Sequence, residues 1–190
     1  MENTPKQHLD LIAEMIQTAR REYNDSSNIY LLWGWVVSIA SILQFILIQM
    51  HHEGMSGIGW VVLIPAALIA QIVMMMKMRK KEKVQTHIDT IMGYLWTAFG
   101  VSLGIVLFSQ GKLQENTFPM VLMLYGIGTF VSGGAIQFRA LIIGGICCWV
   151  VAIACFFVPV QYQVLLLALA VIAAYIIPGY LLKIRYKKNV

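Results

Sequence analysis

ALIIGGICCWVVAIACFFV, residues 140–158, runs for nineteen positions without a charged side chain. A single segment of that length crosses the hydrocarbon of a bilayer as a helix, which satisfies its own backbone hydrogen bonds. Five further runs read the same way: residues 30–50, 58–76, 91–109, 119–136 and 164–182, none of them containing Asp, Glu, Lys or Arg. The expected architecture is an all-α polytopic bundle of six transmembrane helices. Three segments organise the chain: residues 1–29 before the first crossing, the bundle at 30–182 and a basic tail at 183–190.

Charge placement gives the expected orientation. Of the fourteen Lys and Arg residues, thirteen fall on one side of a six-crossing path: Lys6, Arg20 and Arg21, then Lys77, Arg79, Lys80, Lys81 and Lys83, then Arg139, then Lys183, Arg185, Lys187 and Lys188. Lys112 stands alone on the other side. The positive-inside rule then places both termini in the cytoplasm.

A mean hydropathy of +0.73, with 59% hydrophobic and 12% charged residues, excludes a soluble globular domain and leaves no length for a separate catalytic one. The net charge of +5 is juxtamembrane. It reads as orientation and as affinity for anionic lipids of the cytoplasmic leaflet, not for nucleic acid. The first 28 residues are polar where a cleavable signal would be apolar, so the first span is expected to be retained. Cys147, Cys148 and Cys155 all fall in the fifth run, without a nearby His or carboxylate, and read as packing residues.

Before the first span, Thr4, Pro5 and Gln7 make a helix start, and a helix is expected over residues 5–23. Leu9, Ile12, Ile16, Ala19 and Tyr23 recur at helical spacing beside Leu11 and Met15, with Asp10, Glu14, Gln17, Arg20 and Arg21 opposite. Such an amphipathic cytoplasmic helix can lie on the bilayer, dock on the bundle or bind a protein partner through Leu9, Ile12, Met15 and Ile16. The polar residues 24–28 are expected to break it.

Aromatic residues mark the expected interfaces: Tyr30, Trp33, Trp35, Tyr180 and Tyr186 on one side, Trp60 and Tyr162 on the other. Small residues form stripes at helical spacing: Gly93, Thr97, Gly100 and Gly104; Gly126, Thr129 and Gly133; Gly144, Cys148, Ala152 and Cys155. They predict close packing of spans three to five, and an oligomer through Gly100 and Gly104 is the lesser reading.

Few residues offer chemistry. His87 with Asp89 is the one imidazole and acid pair beside a span, a candidate polar site at the cytoplasmic mouth, although Thr86 and Asp89 also form a capping box. His51, His52 and Glu53 could hold a metal, yet adjacent His side chains diverge and a solvated loop explains them. Gln44, Gln71 and Gln137 could line a polar path or bond a neighbouring helix backbone. Pro65 and Pro178 could break helices as in transporter sites, or merely bend them. The reading therefore assigns no catalytic residue, cofactor or metal.

The pattern Leu9-x-Leu11-Ile12-x-x-Met15-Ile16-x-x-x-Arg20, with Tyr30-Leu-Leu-Trp33-Gly34 and Ile176-Ile-Pro178-Gly179-Tyr180-Leu-Leu before a basic tail, resembles a family of small six-span bacterial membrane proteins of uncharacterised activity. The resemblance implies a bacterial cytoplasmic (inner) membrane location and carries no substrate or catalytic residue. The expected function is a non-enzymatic interaction or regulatory membrane subunit. The alternative is a small uncoupled transporter or channel acting as an oligomer.

Overall fold

The computed structural model describes residues 5–79 and 87–187, with side chains described over 27–77, apart from Glu53, and over 90–185. Eight α-helices follow one another: α1 Pro5–Gln49, α2 Ile58–Arg79, α3 His87–Phe108, the short α4 Gln110–Leu113, α5 Thr117–Ala135, α6 Arg139–Cys155, α7 Val160–Val171 and α8 Ile177–Lys187. A π-helical turn, Ile172–Ile176, joins α7 to α8, and the described residues contain no strand. Five stretches are long and apolar enough to cross a membrane: Ser27–Gln49, Ile58–Lys77, Thr90–Phe108, Gln110–Ala135 and Val160–Arg185. The sixth expected crossing, α6, is apolar but 17 residues long. The chain is a helical protein built to pass a membrane several times.

Residues 24–28 do not break the first helix. α1 is one helix of 45 residues, because tertiary packing overrides the turn preference of Asn, Asp and Ser. Ser27 is buried, and the Asn28 Oδ1 accepts a hydrogen bond from Lys183 Nζ at 3.5 Å. Tyr30 is also buried, where an interfacial anchor was expected.

The core lies where α1, α5, α6, α7 and the π turn meet, around Val37, Leu122, Leu141, Cys148, Val171 and Tyr175. Without a hydrophobic drive between helices in lipid, close approach at small residues must hold them together. A Cβ on Gly133 would stand 2.7 Å from the Ile142 nitrogen, and one on Gly145 2.7 Å from the Phe130 backbone. One on Gly126 would overlap the Trp149 indole. These three glycines set α5 against α6. Gly144 does the same for α6 and the π turn, since its Cβ would meet Ala174 Cα at 2.7 Å. Cys148 and Cys155 are fully buried in this packing, and all three cysteines are free.

The third stripe behaves differently. No atom lies within 4 Å of a Cβ placed on Gly93, Gly100 or Gly104, and Thr97 Oγ1 donates back to the Gly93 carbonyl at 2.8 Å. α3 instead turns its bulky face, Trp96, Phe99 and Leu103, to the bundle, and none of its span is buried. Bulk at i, i+3 and i+7 gives more contact area than glycine at the same spacing.

Three described helix ends use a positive-φ residue that is not glycine: Gln114 after the short α4, and His51 and Gln137 after longer helices. Gln137 has φ 52°, with Phe138 N–H donating to Gly133 O at 2.8 Å and Gln137 N–H to Gly134 O at 3.2 Å. His51, φ 58°, closes α1 likewise, with His52 N–H on Leu47 O at 2.9 Å and His51 N–H on Ile48 O at 3.1 Å. Both are Schellman ends, and they explain where these two side chains sit without any polar path or metal.

Gly144→Ala should lower the thermal midpoint in detergent by an amount corresponding to about 1–3 kcal/mol of overpacking, whereas Gly100→Ala should leave it unchanged or slightly raised. Gln137→Gly should raise it, relieving about 1 kcal/mol of left-handed strain. Equal effects of the two alanine substitutions would contradict the packing described for α3 and α6.

Candidate functional site

Five aromatic side chains from four parts of the fold form a closed ring in the core. Tyr30 of α1 meets Trp96 of α3 with ring centroids 6.3 Å apart, and Trp96 meets Phe99 at 5.3 Å. Phe99 meets Tyr125 of α5 at 5.2 Å, Tyr125 meets Tyr175 of the π turn at 5.4 Å, and Tyr175 returns to Tyr30 at 5.7 Å. All five contacts are edge-to-face, the arrangement that sets the positive edge of one ring on the negative face of the next, each worth about 0.5–1.5 kcal/mol beyond burial. Trp96 and Phe99 share a face because they are three residues apart. Beneath them Gly128 keeps the α5 surface low, since its Cβ would already touch Phe99 at 3.4 Å.

Polar atoms accompany the ring. Tyr125, Thr129 and Ser132 lie on one face of α5 at steps of four and three, and Thr129 Oγ1 donates to the Tyr125 carbonyl at 2.6 Å. Tyr175 lies beside Thr129 and Tyr30 beside Ser132, but no hydrogen bond of good geometry closes on the Tyr175 hydroxyl or on Ser132 Oγ. Tyr175 is 2% exposed and Ser132 0%. Ser38 Oγ and Ser41 Oγ of α1 and Gln163 Oε1 of α7 are likewise buried without such a bond.

The π turn explains how Tyr175 reaches the ring. Pro178 has no amide hydrogen for the Ala174 carbonyl, which an α-helix would require, and the preceding turn widens until Ile177 N–H reaches Ile172 O. π turns recur at functional sites because the extra residue re-aims a side chain. Pro178 thus acts through the backbone, and the helix continues past it. Pro65 likewise lies within an uninterrupted α2.

A second polar arrangement joins α1 to α2. Trp33 Nε1 donates to Gln71 Oε1 at 2.7 Å, and Trp60 Nε1 donates to Gln44 Oε1 at 2.7 Å. Each helix carries a Trp and a Gln eleven residues apart, so the antiparallel hairpin pairs them reciprocally. Sequence reading offered these glutamines a polar path or a backbone partner, and named the tryptophans as interfacial anchors; the structure pairs them with each other. That reading missed Gln163, 2% exposed, whose Nε2 donates to the carbonyls of Cys155 at 3.0 Å and Val158 at 2.9 Å and so caps the end of α6.

The other candidates fall on separate elements of the chain. Leu9, Ile12, Met15 and Ile16 lie within α1, and His87 and Asp89 within the first turn of α3, but the side chains of all six lie outside the described residues. His51 and His52 are exposed, and His52 Nδ1 sits 2.8 Å from the Met50 carbonyl. Among the described residues no group of three or more His, Cys, Asp or Glu could hold a metal. Comparison with protein-family models, with curated proteins and with solved structures gave no match.

Double-mutant cycles on Trp33→Phe with Gln71→Leu, and on Trp60→Phe with Gln44→Leu, should each return a coupling of about 0.6–1.7 kcal/mol, the range of hydrogen bonds between membrane helices. Trp33→Phe with Trp60→Phe should be additive. Unfolding in mixed micelles measures both, and zero coupling within a pair would remove it as a clasp between α1 and α2.

Proposed function

We propose that this chain is a non-enzymatic interaction or regulatory subunit of a bacterial cytoplasmic membrane, with six crossings, both termini cytoplasmic, and the N-terminal part of α1 as the element that meets a protein partner. One observation carries the reading: α1 runs unbroken from Pro5 into the apolar stretch Ser27–Gln49. Residues 5–26 therefore add about 33 Å of helix, at ~1.5 Å per residue, to a span fixed in the core by Tyr30 and Val37. An extension continuous with a core helix passes the position of a bound partner to the bundle, where a flexible linker would lose it.

Six crossings gain support from α6, which at 17 residues reaches about 26 Å and packs along its antiparallel neighbour α5. Orientation gains support from contacts that gather the basic joints at one end of the bundle. Arg185 lies over the Phe138 ring at 5.8 Å, next to Arg139, and Lys183 reaches Asn28. A cytoplasmic face so composed also attracts anionic lipid. Gln44 and Gln71, which a passive transporter or channel would set along its path, are each engaged by an indole.

The stripe Leu9, Ile12, Met15 and Ile16 is the proposed contact. A photo-crosslinking amino acid placed at these four positions in native membranes should capture one protein partner, while Asp10, Glu14 and Gln17 should not. Removal of residues 1–23 should abolish that product and leave the thermal midpoint of the bundle unchanged. Crosslinks to lipid alone, or equal capture from both faces, would overturn the proposal.

A further inference from the structure

We infer that the joint between α5 and α6, together with the end of α8, binds a phosphate group of net negative charge, supplied by the headgroup of an anionic phospholipid. The inference deepens the attraction for anionic lipid proposed above and rests on this end of the bundle lying at a membrane surface. Its carrying observation is Arg185, whose guanidinium carbon lies over the Phe138 ring, 5.8 Å from the centroid. Phe138 is a fixed platform: the ring is buried, and its N–H is tied to Gly133 O at 2.8 Å in the Schellman end at Gln137. Attraction to a ring face positions the guanidinium and leaves its N–H donors available for an oxyanion.

Further positive groups meet Arg185 there. Arg139 follows Phe138 directly and opens α6, and Lys183, on the same stretch of α8, reaches Asn28 Oδ1 at 3.5 Å. All three cationic side chains are exposed, and among the described residues none of them forms an ion pair. The one carboxylate whose side chain is described, Glu115, precedes α5 at its opposite end. Cations gathered without a counter-ion repel one another, and an anion between them removes that repulsion. Phe138 also gives α6 no side-chain cap, so the positive end of that helix opens at the same joint. The donor set selects the chemistry, since guanidinium forks bind the oxygens of a phosphate in bidentate fashion. Residues 119–136 and 140–158 on either side of the joint are charge-free, which sets it at headgroup level, where a lipid phosphate reaches it without leaving the bilayer. A phosphatidylcholine headgroup carries its own ammonium beside the phosphate, whereas phosphatidylglycerol leaves the phosphate uncompensated, so the site prefers the latter.

Nanodiscs of phosphatidylglycerol and of phosphatidylcholine test this. The parent chain should have a thermal midpoint several degrees higher in phosphatidylglycerol, and should retain that lipid in native mass spectrometry after transfer to detergent. Arg185→Gln and Arg139→Gln should lose both effects while matching the parent in phosphatidylcholine, which shows that they fold. Arg185→Lys should lose most of the effect, since an ammonium keeps the charge and lacks the fork. Lys112→Gln, in α4 before α5, should behave as the parent. Equal midpoints of the parent in the two lipids would overturn the site. So would parent-like retention by Arg185→Lys, or a loss in Lys112→Gln as large as in Arg185→Gln, because either shows attraction of charge alone. Arginine variants that fall equally in both lipids would assign these side chains to contacts within the protein and also overturn it. A midpoint raised by inorganic phosphate in phosphatidylcholine, with no gain from phosphatidylglycerol, would overturn the lipid and leave a soluble phosphate as the ligand. Both leaflets of a nanodisc carry the same lipid, so a reversed orientation of the chain, or failure of the partner contact at Leu9, Ile12, Met15 and Ile16, leaves these outcomes unchanged.

Discussion

The amide hydrogen that Pro178 lacks governs the geometry of this core. An α-helix through position 178 would leave the Ala174 carbonyl without its donor inside an apolar bundle. A π turn precedes the proline instead, with Ile177 N–H bonded to Ile172 O. A wider turn needs room, and two glycines supply it from opposite sides. A Cβ at Gly34 would approach Ile176 Cγ1 to 2.8 Å, and one at Gly144 would approach Ala174 Cα to 2.7 Å. The turn is thereby clamped between α1 and α6, with Tyr175 directed at Tyr30 and Tyr125. Proline, π turn, flanking glycines and aromatic ring form one dependent sequence of causes.

Around that clamp, neutral hydrogen bonds join the described helices. Trp33 with Gln71 and Trp60 with Gln44 clasp α2 to α1. Trp149 Nε1 reaches the Met123 carbonyl at 3.3 Å across α5 and α6, and Gln163 closes the end of α6. Each bond adds only about 1 kcal/mol in a membrane, but each also fixes a register that smooth apolar packing leaves free. Charges appear at the end of the bundle, where Arg185 meets the Phe138 ring and Lys183 meets Asn28.

Five of the membrane-length helices were legible because a charge-free run of some twenty residues has few other readings. The glycines of α5 and α6 were legible for a similar reason, since small residues at helical spacing mark close approach. The same pattern misled for Gly93, Gly100 and Gly104: spacing says which residues share a face, not which face turns inward, and Trp96 and Phe99 claimed that role in α3. Local turn propensity misled at 24–28, where burial of Ser27 and the Asn28 contact decide the backbone. The ring was not legible at all. Its five members are scattered from position 30 to 175 and converge only through tertiary structure, and only Pro178 followed by Gly179 hinted that the last helix is irregular near Tyr175.

The ring also bears on how an event at the N-terminus could reach the bundle. Leu9, Ile12, Met15 and Ile16 share one helix with Tyr30, so on the proposed reading a partner that tilts the extension moves Tyr30 against Trp96 and Tyr175. Tyr175 is clamped by glycine packing and is fully enclosed, and Tyr125 belongs to the closely packed pair α5 and α6. Trp96 belongs to α3, which has no buried residue in its span and leans chiefly on α5. A displacement entering at Tyr30 therefore meets stiff neighbours on one side and the least anchored helix on the other. Since motion follows the element with the fewest packed contacts, α3, with its outward Gly100 and Gly104, is the helix that such a displacement would move.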